Sequence, residues 1–102
     1  MNQALRHVVL FQFKADTAPE QIKTVEDAFR ALPSKIDAIR DFEWGTDVSV
    51  EDKADGFTHC FFVTFGSAAD RDAYLPHPDH QEFGSILRPH LEKVLVFDYW
   101  AA

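Results

Sequence analysis

Histidine is the side chain whose charge changes near neutral pH, and this sequence carries five: His7, His59, His77, His80 and His90. His80 is the best-suited general base among them, because an imidazole both accepts and returns a proton at that pH. Tyr74 stands six residues earlier, across Pro76 and Pro78, where a phenol can orient a substrate or donate to a developing enolate oxygen. The proline break lets the chain turn both groups toward one cavity between helix and sheet. The plainer reading is that His80 caps or packs a helix and Tyr74 fills core space. Spacing alone leaves both open.

His7 and His59 each share a strand face with Phe and Val. If their strands are neighbours, the two imidazoles line one cavity as substrate-binding groups; otherwise they are satisfied, half-buried residues at the end of a sheet. His77, Asp79 and His80 invite a metal-site reading. Their short spacing spans a turn and lacks the His-x-x-x-His register that sets two ligands on one helical face, so no metal is expected. Asp79 reads more simply as a helix N-cap, and His90, after Pro89, as a surface group near a helix end. There is no Gly-rich phosphate loop, no Gly-x-Ser-x-Gly elbow and no Cys/His nucleophile pair. No cofactor is called for.

The elements that must hold these residues follow from period and punctuation. Leu5 to Phe13 alternates as a strand, with His7, Val9, Phe11 and Phe13 on one face and Val8 and Leu10 on the other. Thr17 is positioned to cap a helix, with Glu20 three residues on and Pro19 in the first turn. Ile22, Val25, Phe29 and Leu32 form its apolar stripe, and Pro33 ends it. A second strand runs from Arg40 to Val48, followed by a charged loop from Ser49 to Gly56. Thr58 to Phe65 is the clearest strand, with His59, Phe61, Val63 and Phe65 opposing Cys60 and Phe62. Ser67 caps a helix that Pro76 and Pro78 break; a further helix spans about Asp79 to Leu91, and Val94 to Trp100 is a last strand.

This order, β-α-β-β-α-β, predicts an α+β, ferredoxin-like antiparallel sheet with helices on one face, as a single domain over residues 1–102. Nothing in the chain remains to cover the other face, although three strands place Val, Leu, Phe or Cys there. A homodimer packed sheet against sheet is the simplest remedy. Composition agrees: 46% of 102 residues are hydrophobic, including ten Phe, more than a core this small hides comfortably. A net charge of −7 without a basic cluster argues against nucleic acid or an anionic membrane as partner. No apolar run approaches the ~18 residues of a bilayer span, and no signal-type leader is visible. One cysteine, Cys60, permits no internal disulfide and reads as a buried, inert thiol. A cytoplasmic setting is the default expectation.

The stretches His7-Val8-Val9-Leu10-Phe11-Gln12-Phe13-Lys14, Phe42-Glu43-Trp44-Gly45-Thr46-Asp47-Val48, Gly56-Phe57-Thr58-His59, Tyr74-Leu75-Pro76-His77-Pro78-Asp79-His80 and Val94-Leu95-Val96-Phe97-Asp98-Tyr99 span nearly the whole chain. In this order they resemble the stress-responsive α/β-barrel domain (Dabb) family. The resemblance implies a dimeric α/β barrel. A cyclase of that family closes a linear polyketide by aldol-type condensation, using a tyrosine and a histidine of a Tyr-x-x-His-Pro-x-His stretch for acid/base work. Those positions match Tyr74 and His80, and its other pocket histidines match His7 and His59. Other members are stress-associated proteins without an assigned activity. Two expectations follow: a cofactor-free cyclase- or isomerase-like enzyme on a carbonyl or polyketide-like substrate, or a non-catalytic, stress-associated oligomer that binds a small apolar ligand.

Overall fold

A computed structural model describes residues 3–102. Strand β1 (Leu5–Phe13) leads through helix α1 (Pro19–Ala31) and a 3-10 turn (Leu32–Ser34) to β2 (Ile39–Thr46). Strand β3 (His59–Phe65) is followed by α2 (Ala68–Tyr74), α3 (Pro78–Leu87), a second 3-10 turn (Arg88–His90) and β4 (Leu91–Trp100). The sheet order is β2-β3-β1-β4, antiparallel throughout, which is the expected ferredoxin-like arrangement. Each β-α-β crossover skips one strand position, so both helical layers fall on the same face.

Local chemistry sets the boundaries, with two corrections. The N-cap of α1 is Ala18, not Thr17: Pro19 supplies the first helical φ, and Gln21 accepts the Ala18 N–H through Oε1 at 2.9 Å. Asp79 does not cap α3 either. His77 takes that place, its Nδ1 accepting the Asp79 N–H at 3.1 Å, because Pro78 occupies the first helical position. Ser67 caps α2 as expected, accepting from Asp70 N–H. Pro89 turns the end of the last helix into the 3-10 segment, so β4 starts at Leu91. Gly56 has φ +84°, a left-handed conformation that favours glycine, and a Cβ there would also displace the end of the Gln12 side chain, 2.8 Å away.

The core follows strand alternation. Leu5, Val9 and Phe11 of β1 and Phe61, Val63 and Phe65 of β3 are buried beneath Val25 and Phe29 of α1 and Phe83 and Leu87 of α3. Phe29 stacks on Phe61 with centroids 4.2 Å apart and planes 4° from parallel. Phe83 lies 4.6 Å from Phe29, and Phe11 lies 5.4 Å from Phe61. These rings occupy the space over β2, β3 and β1. Over β4 there is no comparable cover. Val96 and Trp100, on the helix side, are 55% and 47% exposed, and Phe97, on the opposite side, is 61% exposed. The radius of gyration, 14.0 Å, exceeds the roughly 13 Å of a compact chain this long, in keeping with a strand left uncovered.

Because Phe61 is fully buried and touches three other phenylalanines, Phe61→Ala should destabilise the fold by about 3–5 kcal/mol in urea unfolding. A loss under about 1 kcal/mol would mean that the stack contributes little.

Candidate functional site

Three of the four sequence-nominated residues meet at the β4 side of the sheet. Tyr74, the last residue of α2, lies between two imidazoles: its ring is 4.4 Å from that of His80 and 5.9 Å, edge-on, from that of His7. Pro78 starts α3 after a short turn, and His80 in its first turn folds back over α2. There its Nδ1–H donates to the Leu75 carbonyl at 2.9 Å. His7 of β1 packs against the Tyr74 ring, and its Nδ1–H donates to Asp98 Oδ1 of β4 at 2.6 Å. The second oxygen of Asp98 accepts from Arg71 of α2 at 3.3 Å. One carboxylate thus links β1, β4 and α2.

Those bonds fix the tautomers. With Nδ1 of each ring committed as a donor to a carbonyl or a carboxylate, a neutral imidazole leaves Nε2 with its lone pair. Among the described residues, no protein group takes Nε2 of His7 or of His80. Burial pushes the pKa of His80 down, and the charges of His7 and His77 push it the same way. The bond to Leu75 opposes them but does not prevail. His80 is therefore a neutral base at neutral pH. Burial raises the pKa of Tyr74, which keeps the phenol a donor across the physiological range. Tyr74 is fully buried and, among the described residues, no group accepts from its hydroxyl, which costs about 1–3 kcal/mol until an acceptor reaches it.

His59 does not join this group. His7 is opposite Val63, four residues along β3 from His59, so the two histidines share a face but stand roughly 13 Å apart at the usual strand rise. The shared His7–His59 cavity is thereby corrected: register separates them, and the four-phenylalanine stack occupies the sheet between. His59 Nε2–H instead donates to Glu26 of α1 at 2.7 Å, and Nδ1 is bonded to the Thr58 hydroxyl at 2.7 Å. Its ring lies parallel to Trp44 and edge-on to Phe13. Both nitrogens are used, so this imidazole has no free lone pair to offer.

His77 caps α3 and is not arranged as a ligand; among the described residues no cluster of three or more metal-ligating side chains occurs. Cys60 is half-buried on the open sheet face, where burial and the nearby Glu43 carboxylate raise its pKa, so the thiol is a poor nucleophile. No helix is long and apolar enough to cross a membrane, among the described residues. Sequence reasoning passed over Asp98, Arg71 and Glu26. Asp98 is the only acid within the apolar run Val94–Trp100, and Glu26 interrupts the stripe between Ile22 and Phe29; an acid on an apolar face was the available signal.

A four-stranded antiparallel sheet with its helices on one face places the chain in the ferredoxin-like α+β class. The chain belongs to the stress-responsive A/B barrel domain family, whose pattern matches residues 5–101. Stress-response A/B barrel domain-containing protein HS1 of Arabidopsis thaliana is 40% identical over 95 residues, covering 93% of this chain and 87% of that protein. Olivetolic acid cyclase of Cannabis sativa is 35% identical over 96 residues, 94% of this chain and 95% of the cyclase. Among solved structures, hydroxynitrile lyase from Passiflora edulis superposes with a TM-score of 0.93 at 32% identity, over all of this chain and 96% of the lyase. A dimeric ferredoxin-like protein of unknown function from Bacteroides fragilis gives 0.77 at 28%, over 96% of each chain.

The ring environment makes a direct prediction. In an NMR titration His80 should show a midpoint below the ordinary 6.5, and His7→Gln should move that midpoint upward without restoring it fully, because burial is the larger cause. Since the folded state holds this proton more weakly than the unfolded one, the ring's contribution to stability is present above the ordinary value. It is lost as pH falls through the depressed one. A midpoint at or above 6.5 would show that the Leu75 bond outweighs burial.

Proposed function

We propose that this chain, acting as one domain and as a homodimer, is a cofactor-free general acid–base catalyst. It would act on a small carbonyl compound, with His80 as base and Tyr74 as orienting donor. The observation that carries this reading is Tyr74, whose hydroxyl is buried without an acceptor among the described residues and whose ring packs against two imidazoles with Nε2 unbonded there. A carbonyl oxygen that reached the Tyr74 hydroxyl would supply its missing acceptor, and an adjacent imidazole is the type of group that removes an α-proton. His7, held by Asp98 and Arg71, lines the same space as a substrate-binding group. The names of two relatives, a cyclase and a hydroxynitrile lyase, support small-molecule chemistry on this fold.

The phenylalanine stack limits what enters. With Phe11, Phe29, Phe61 and Phe83 filling the space over β1 and β3, an extended polyketide chain has no room beside His59. A short substrate resting its apolar part on Val96 and Trp100 of β4 fits better. The role carried by resemblance to His59 is accordingly indirect: with both nitrogens bonded, it holds α1 to β3. The acidic charge speaks against nucleic-acid partners, and the lone unpaired cysteine suits a cytoplasmic setting.

The open face of the sheet, with Leu95, Phe97 and Tyr99 exposed, supports the homodimer, as do solved neighbours described as dimeric. The same filled interior favours a second reading, a stress-associated dimer valued for its stability. Under both readings the melting temperature should rise with protein concentration. A midpoint unchanged over a hundredfold dilution argues against the dimer.

The enzyme reading is tested without knowledge of the product. In D2O, the protein should speed deuterium entry at the α-carbon of some member of a panel of small ketones and β-keto esters. His80→Gln should lower that rate about 10²–10⁴-fold with the fold intact. Exchange that is equal in the variant removes the base; a variant that unfolds makes His80 structural.

A further inference from the structure

Two histidines pack against Tyr74, and each gives its Nδ1–H to a different kind of acceptor. The Leu75 carbonyl beside His80 carries no full charge. Asp98 beside His7 is a carboxylate only 2.6 Å away, and the His7 side chain is 7% exposed. An anion this close and this well shielded from water, acting alone, favours the protonated ring. An imidazolium has no lone pair, so Nε2 of His7 would then be a donor and not an acceptor. Arg71 alters that balance. It stands three residues before Tyr74 on α2, hence on the same helix face, and its Nη1 donates to the other oxygen of Asp98 at 3.3 Å.

We propose that Arg71 sets the charge of His7: its guanidinium compensates the Asp98 carboxylate, so the ring beside Tyr74 stays neutral and keeps its Nε2 lone pair. The groups that face His7 balance only in that state. Asp98 of β4 and Arg71 of α2 cancel, while Tyr74 of α2 and His80 of α3 are neutral. Asp72 also accepts from Arg71, through Nε at 3.1 Å, but its side chain is 64% exposed and water screens it. Among the described residues no second carboxylate bonds the His7 ring. A further proton there would leave one positive charge uncompensated in a largely buried cluster. Arg71 is therefore a positioning residue, acting through Asp98 and His7.

The effect on the reaction rests on the acid–base reading; the effect on charge does not. A neutral His7 accepts at Nε2, so the substrate group it binds is a donor, a hydroxyl or an enol, and the carbonyl oxygen is left to Tyr74. A cationic His7 would compete with Tyr74 for that oxygen. Its charge would also make His80 a weaker base.

Ring-nitrogen NMR shifts at neutral pH read the charge directly, because a neutral imidazole has one protonated and one bare nitrogen and an imidazolium has two protonated. His7 should be neutral in the native chain, cationic in Arg71→Met and neutral again in Arg71→Lys. In Arg71→Met combined with Asp98→Asn it should also be neutral, since the anion is removed with the cation. An arginine that served only to hold α2 would leave the charge of His7 alone when lost. Arg71→Gln replaces Arg71→Met should the latter not fold. In the deuterium-exchange assay, Arg71→Met should be about tenfold slower than the native chain on the ketone the native chain exchanges fastest, and Arg71→Lys should restore the rate. A cationic His7 in the native chain, or a neutral one in Arg71→Met, overturns the proposal. A native chain that exchanges no ketone removes the enzyme reading and leaves the charge assignment standing. An unchanged rate with a cationic His7 overturns the role of its lone pair in the reaction.

Discussion

Among the described residues strand β4 is bonded along one edge, to β1, and most of both its faces is left exposed. That is the constraint on which the rest of the molecule turns. A ten-residue edge strand with Val, Leu, Phe, Tyr and Trp on both sides is a liability in isolation, because its apolar surface and free peptide groups attract other chains. Period-two alternation divides the problem into two. Leu95, Phe97 and Tyr99 look toward the open face of the sheet, while Val94, Val96, Asp98 and Trp100 look toward the helix layer. The first set calls for a partner. The second, left bare beside α2 and α3, forms an apolar strip that ends at a carboxylate.

That carboxylate explains why two imidazoles of similar burial have different capabilities. His7 and His59 are both buried, and each faces an acid. His7 spends one nitrogen on Asp98, whereas His59 is bonded at both ends, to Glu26 and to Thr58. A doubly bonded ring fastens helix to strand; a singly bonded one retains a site for a proton. His80 reaches the second condition by other means, since its Nδ1 is engaged by a main-chain carbonyl, which carries no full charge to stabilise an imidazolium. Burial therefore decides its protonation state, and the ring stays neutral.

How much of this was legible in the sequence depends on the range of the interaction. The strands of β1 and β3, with apolar residues on both faces, and the break at Pro76 and Pro78 are written in local pattern, and the structure follows them closely. Thr17 and Asp79 failed as caps because proline chooses the first helical position and so moves the cap to the residue before it. The proximity of Tyr74 to His80 was accessible, being only six residues in length across one turn. The separation of His59 from His7 was not, because it depends on the pairing register of strands more than fifty residues apart. Asp98 and Glu26 were missed for the same reason: a lone acid on an apolar face signals a partner, but only tertiary structure supplies its identity.

The interior and the strip over β4 differ in how freely their residues can change. Stacked Phe29 and Phe61, with Phe11 and Phe83 against them, are worth several kcal/mol each to folding, so this chain has little freedom to open a cavity there. A relative with smaller side chains at those positions would gain room over β3, with stability to be recovered elsewhere. The strip over β4 has no such conflict. Its residues are exposed, so changing Val94, Val96 or Trp100 alters what rests beside His7, Tyr74 and His80 without removing a buried ring. Such changes leave His7 in place, because Asp98 ties it through β4 to Arg71 of α2.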